Sequence, residues 1–209
     1  MYVDGFNMYH ALSELKQPHL KWLNLMKLAN YLIKRNTQTI VGVRYFSAFA
    51  EHFNRTDKID SLMRHRAYVR ALEAKGVDCI MGNFAKRDRI YKGKGYKAQW
   101  RRYEEKQTDV GIGVHLINDA HLGRFDRAFM LSLDTDMLPV LKLMKSERPH
   151  QPVIVYAPPH RAHHRDIQAL ASGVESIKVS QIERSLFGPT VSKHGCIVAR
   201  RPAAYKPPS

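Results

Sequence analysis

At 209 residues and 24.1 kDa, with 44% hydrophobic residues, the chain has the apolar content for one sizeable core, and its formal charge of +15 and pI near 9.9 favour a polyanionic partner if the charge is clustered. Apolar residues begin almost at once, with no charged leader before Asp4, and no later apolar run is long enough to span a bilayer, so a soluble cytoplasmic protein is expected. The two cysteines, Cys79 and Cys196, stand far apart without a CxxC partner, which excludes a disulfide framework or a zinc knuckle built on them.

Short apolar runs alternate with segments of helical period, the pattern of an α/β chain with a mainly parallel, doubly wound sheet. In chain order the strands are expected at 1–4, 39–49, 77–84, 127–133, 152–156 and 176–179. The amphipathic spacing predicts helices at 24–34, 55–75, 109–120, 135–146, 165–171 and 181–187. Trp22, Met26 and Tyr31 read as packing residues. After Phe187 the composition changes to "GPTVSKHGCIVARRPAAYKPPS", read as a hairpin around His194 and Gly195 followed by a loose Pro-rich end. The expected division is therefore a domain over 1–187 and an appendage over 188–209.

Four aspartates fall where the chemistry of such a sheet is found. Ligands of open α/β sheets bind beyond the carboxyl ends of the strands, at the point where the strand order reverses. Asp4 ends the first strand, "LSLDTDM" puts Asp134 and Asp136 after the fourth, and Asp109 opens a helix, with Glu105 four residues before it on the same face if the helix already runs there. Singly, each acid is an ordinary turn, N-cap or first-turn residue. Converging, they would repel one another unless a cation neutralised them. Hard divalent ions such as Mg²⁺ or Mn²⁺ prefer such carboxylates together with water and phosphate oxygens, which suits metal-assisted phosphodiester hydrolysis. Asn7, one helical turn past Asp4, offers an amide for a bound water or phosphate.

Three segments, "YVDGFNMYHAL", "EEKQTDVGIGVHLINDAHLGRFDRAFMLSLDTDMLPVLKLM" and "PVIVYAP", resemble in order and spacing the NYN domain of the LabA-like group, a branch of the PIN-like metal-dependent nucleases. The resemblance covers roughly 1–187 and implies a PIN-like, Rossmann-like three-layer α/β/α sandwich with a Mg²⁺ or Mn²⁺ ribonuclease site. By motif, Asp4 and Asn7 match the acid and amide after the first strand. Asp109 matches the acid after the Glu-Lys segment, and Asp134 and Asp136 match the Ser-x-Asp-x-Asp segment. The resemblance makes Asp4, Asp109, Asp134 and Asp136 metal ligands, and gives Gly5 the role of a sharp turn. Two departures stand out: Leu133 where glycine is usual, and Gly111 with Gly113 inside a helix, each costing about 1 kcal/mol relative to alanine. The cysteine pair of some relatives is missing.

Residues 86–102, "KRDRIYKGKGYKAQWRR", hold eight Lys or Arg against one Asp, interleaved with Tyr91, Tyr96 and Trp100. Cations neutralise phosphates and aromatic faces stack on unpaired bases, so Lys92, Lys94, Tyr96, Lys97, Trp100, Arg101 and Arg102 are expected to contact single-stranded or structured RNA; a solvated basic loop is the plainer alternative. His160, His163 and His164 lack a single-face spacing and read as loop and helix-start residues, with Arg161 and Arg165 as further phosphate contacts. Besides a metal-dependent endoribonuclease, a non-catalytic RNA-binding adaptor on a degenerate nuclease fold fits the pattern. A haloacid-dehalogenase-like phosphatase fits less well, because that family puts its Asp-x-Asp motif near the start of the chain. Endo- or exonucleolytic mode and homo-oligomerisation are open at this level.

Overall fold

A computed structural model of the chain describes residues 1–34, 36–51, 56–93 and 96–208, and the side chains of all of these except 56–58, 86–93 and 96–105. In chain order the elements are β1 (Tyr2–Asp4), α1 (Gly5–Glu14), α2 (Leu25–Leu32), β2 (Arg44–Ala48), α3 (Thr56–Glu73), β3 (Asp78–Gly93), β4 (Tyr96–Lys106) and α4 (Thr108–His121). They continue with β5 (Ala128–Leu131), α5 (Leu138–Glu147), β6 (Val153–Ala157), α6 (Arg165–Leu170), β7 (Gly173–Ser176), α7 (Val179–Glu183), β8 (Thr190–Lys193) and β9 (Cys196–Arg200). The main sheet runs β4-β3-β2-β1-β5-β6-β7. Every neighbouring pair is parallel except β3 with β4.

Alternation along the central strands divides the core into two layers. Val3, Tyr45, Leu131 and Tyr156 are buried in one cluster with Leu12 of α1, Leu28 of α2, Leu72 of α3 and Ile182 of α7. Tyr2, Phe46, Met130 and Val155 are buried in the other with Ile112 and Leu116 of α4, Leu141 of α5 and Ile167 of α6. The result is a three-layer α/β sandwich whose strand order reverses at the β1–β5 pair. Trp22 is fully buried and its indole donates to Gly188 O at 2.9 Å. Tyr31, expected in the core, is exposed, and its hydroxyl accepts from Arg184 at 3.3 Å.

Further readings from sequence differ from the structure. First, the turn after Asp4 is a helix, α1, which starts at the residue after the strand; Asp4 caps it by accepting from the Asn7 backbone N–H. Gly5 is there for clearance: a Cβ would come within 2.6 Å of the Tyr45 ring and 2.7 Å of Phe46 O. Second, the strand expected at 77–84 continues to Gly93 and is paired residue by residue with β4, from Asn83 with Lys106 to Gly93 with Tyr96. Since β2 pairs with β3 only as far as Gly82, this hairpin extends past the carboxyl end of β2 by a further 11 residues, Asn83 to Gly93. At 3.3–3.4 Å per residue that is an arm of about 35 Å. Third, β7 lies at Gly173–Ser176, and the later apolar residues serve elsewhere: Ile177 is buried in the core and Val179 opens α7.

The C-terminal hairpin is present as β8 and β9. The hairpin packs on the core through Val191 of β8 and Ala199 of β9, and the segment after it, read as loose, is anchored there too: Tyr205 is buried in the same cluster as Trp22 and Leu72.

Candidate metal centre

Asp4 and Ser132 face each other across the switch point. Asp4, at the end of β1, is 5% exposed; its Oδ1 accepts from Asn7 N–H at 2.9 Å, and its Oδ2 accepts from the Ser132 hydroxyl at 3.0 Å. Ser132, just past the end of β5, is wholly buried, and its Oγ accepts in turn from the Asp134 backbone N–H at 3.2 Å. Asp134 then caps a 3-10 turn, Thr135–Met137, accepting from Asp136 N–H at 2.9 Å. Through these bonds the last residue of β1 sets the course of the loop that bears the other two acids.

The third segment is the first turn of α4, with Asp109. One carboxylate oxygen from each of Asp109, Asp134 and Asp136 lies within 4.8 Å of the others, two of the residues half-buried and Asp136 exposed. Among the described residues this is the only group of three or more His, Cys, Asp or Glu side chains so disposed. A donor set of carboxylate oxygens alone fits a hard divalent cation such as Mg²⁺ or Mn²⁺ and not a thiolate- or imidazole-preferring metal.

The two glycines of α4 bring its first turn to that place. A Cβ on Gly113 would lie 2.9 Å from Val140 of α5, and one on Gly111 would touch the Phe46 ring at 3.4 Å. The helix can therefore approach both β2 and α5 closely, and α5 follows directly on the turn bearing Asp134 and Asp136. The chain enters α4 through Gln107 in the left-handed region, φ 80°, where its side-chain oxygen accepts from Asn83 at 3.3 Å. At the far end, Asp119 anchors the helix to the sheet. It accepts from Tyr2 Oη at 2.7 Å, from Arg44 at 2.9 and 3.1 Å and from Arg124 at 2.9 Å. Burial would raise the Asp119 pKa, but the hydrogen bonds from Tyr2, Arg44 and Arg124 outweigh it and hold the carboxyl below its usual range.

Of the acids singled out in the sequence, Asp109, Asp134 and Asp136 come together. Asp4 is not in that group; it is bound as a helix cap and joined to it through Ser132. Asn7 contributes its backbone N–H to Asp4 and is itself half-buried. Glu105 lies on β4 and not on a helical face with Asp109. Lys94 lies outside the described residues, as do the side chains of Lys92, Tyr96, Lys97, Trp100, Arg101 and Arg102, whose backbones form the β3–β4 hairpin. The histidines have turn roles: His160 adopts φ 58°, His163 Nε2 lies 3.1 Å from Val155 O, and His164 caps α6. Arg161 is ion-paired with Glu14. Leu133 packs against the α4–α5 cluster. Ser132 and Asp119 were not identified from sequence; for Ser132 the signal was available, a lone hydroxyl in the apolar run "AFMLSL".

An all-oxygen acidic centre at the switch point of a three-layer α/β sandwich is the class of site defined by these residues. No family model matches the chain. In a match covering 70% of its length and 55% of the other protein, the chain is 25% identical to a 6-hydroxy-3-succinoylpyridine 3-monooxygenase from Pseudomonas putida. A solved structure of a protein of unknown function from Vibrio parahaemolyticus is similar with a TM-score of 0.55 and 18% identity, covering 89% of this chain and 93% of that one. The likeness extends to the fold.

Proposed function

We propose that the protein is a metal-dependent ribonuclease. The observation that carries this reading is the convergence of Asp109, Asp134 and Asp136 within 4.8 Å, an arrangement whose mutual repulsion a divalent cation relieves. In such a site the metal supplies a Lewis acid toward a phosphodiester and lowers the pKa of bound water. The chain's own residues hold the three carboxylates: Ser132 fixes the Asp134 backbone against Asp4, and the close α4–α5 contact at Gly113 sets Asp109 opposite Asp136. The strongly basic 86–102 arm, which leads through β4 directly into α4, is the element proposed to bind the polyanion.

The test is cleavage of labelled single-stranded RNA by purified protein in Mn²⁺, Mg²⁺ or EDTA, alongside Asp134→Asn and Asp109→Asn. Cleavage in either metal, and its loss in EDTA and in both variants, is the expected result. RNA binding without cleavage in any metal would instead identify an RNA-binding adaptor. Similarity to an enzyme named for oxidising a hydroxypyridine favours a second reading, an oxygenase acting on a heteroaromatic ring. Incorporation of ¹⁸O from O₂ into 6-hydroxy-3-succinoylpyridine would establish that reading in place of the first.

A further inference from the structure

On the other face of the sheet from α4, a cavity of about 260 Å³ opens between α1, α3 and the end of β2. Its walls are largely aromatic: Phe6, Tyr9, Tyr45, Tyr68 and Tyr205 line it with Met8, Leu12 and Leu25. Tyr45 meets Tyr68 edge-to-face at 5.8 Å and the His65 ring at 6.4 Å, so the walls present ring faces and edges at different angles. The size is below that of drug-sized pockets and suits one or two fused rings.

At one edge of the lining a polar group gathers around His65. Tyr45 Oη and Ser47 Oγ both lie 3.4 Å from His65 Nε2, well beyond the usual length of a hydroxyl hydrogen bond. Ser47 is 2% exposed and also hydrogen-bonds Tyr45, so a buried hydroxyl pair and an imidazole line the cavity, the imidazole held only by long contacts and so able to bond a ligand. Burial pushes His65 down to about 4, which leaves the ring neutral and able to donate or accept at physiological pH. Lys21 is the one formally charged residue in the lining among the described residues, and its ammonium sits 4.3 Å over the Tyr9 ring. Among the described residues the lining holds no carboxylate, so it favours an uncharged ligand over a cationic one.

We propose that this cavity binds an uncharged heteroaromatic ring, stacked among the tyrosines and hydrogen-bonded at one edge by Ser47, His65 and Tyr45. Two sources present that chemistry: a nucleobase unstacked from an RNA strand, or a free small molecule. The cavity begins at Gly5 and Phe6, the residues that follow Asp4. Ring binding itself does not depend on nuclease activity.

The experiment uses the full chain, with uracil, 2-hydroxypyridine and toluene as probes. Binding is followed by ¹H–¹³C NMR of the His65 and tyrosine rings. Uracil and 2-hydroxypyridine should perturb His65 and Tyr45 and bind at least about tenfold more tightly than toluene, from two or more hydrogen bonds to a buried polar edge. Ser47→Ala with His65→Phe, which keeps an aromatic ring there without its nitrogens, should abolish that preference and leave toluene binding in place; Ala50→Trp in the lining should block all three. Toluene binding as tightly as the heteroaromatic probes, or perturbations elsewhere in the protein, overturns the proposal. The source is settled by RNA oligomers carrying one abasic nucleotide at each position in turn. An affinity loss confined to one position, and absent in Ala50→Trp, assigns the ring to RNA. A flat scan beside tight binding of a free ring assigns it to a small molecule.

Discussion

Ser132 has no solvent exposure, yet its hydroxyl donates to the Asp4 carboxylate and accepts from the Asp134 backbone. Deleting a hydroxyl in that position leaves the cavity of one atom and two partners short of a bond, one of them charged. Ser132→Ala should therefore cost about 2 kcal/mol of stability and, if Mn²⁺ binds at the acidic centre as proposed, should also blunt the resulting rise in melting temperature, because the Asp134 loop loses its tie to β1. Asp134→Asn should behave differently: little loss of stability in EDTA, since the exposed side of the site is relieved of repulsion, but most of the Mn²⁺ increment gone. Thermal melts of the wild type and both variants with EDTA or Mn²⁺ check this. An undiminished Mn²⁺ shift in Asp134→Asn would place metal binding elsewhere on the protein.

The two acids of α4 have opposite duties, and the contrast tests how the helix is used. Asp119 fastens the helix to β1 and β2, and its folded pKa is depressed relative to the unfolded chain. Stability from such a group is present above the unfolded carboxylate pKa near 4 and is lost as pH falls through the folded value. Asp119→Asn should therefore destabilise the protein at pH 7, by about 2 kcal/mol for a charge-assisted network that is only partly buried, and the difference from wild type should shrink in melts carried out below pH 4. Its Mn²⁺ response should persist, whereas that of Asp109→Asn should not. Elements such as α4, β5 and α5 were legible in the sequence because their apolar periods are intact. The helix α1 was not, because "DGFN" has the composition of a turn and the helix starts with no linker after the strand. The β3–β4 arm was hidden for a different reason: charges occupy consecutive positions, so the period-two signal of a half-buried strand is absent. Asp109, Asp134 and Asp136 were legible as a site because each ends or opens a periodic segment. Asp119 acts through Arg44, 75 positions away, which local pattern does not encode; the Ser132 hydroxyl was visible in the apolar run, but its bond to Asp4, 128 positions away, was not.

Across the whole molecule the charge is unevenly placed. Eight Lys or Arg against one Asp give the 17 residues 86–102 a net +7 of the total +15, and the described backbone there, 86–93 and 96–102, pairs as two strands that extend past the end of β2 on the side of the acidic centre. Register pairs Lys92 with Lys97 and Arg87 with Arg102, and like charges at paired positions destabilise a hairpin, a cost that a bound polyanion would offset. Binding and chemistry then separate by element. Replacing Lys92, Lys94, Lys97, Arg101 and Arg102 by Gln should weaken RNA binding across sequences and flatten its salt dependence by roughly 0.7 in log–log slope for each phosphate that is no longer neutralised. Tyr96→Ala or Trp100→Ala should cost about 1–3 kcal/mol of binding where a base stacks, with the salt slope nearly unchanged. Since Asp109, Asp134 and Asp136 remain in all these variants, their Mn²⁺-induced thermal shift should equal that of the wild type, and saturating RNA at low salt should restore cleavage. Filter binding over a series of salt concentrations measures the slopes, and a Gln variant with the affinity and slope of the wild type would show that the arm is not where the phosphates lie.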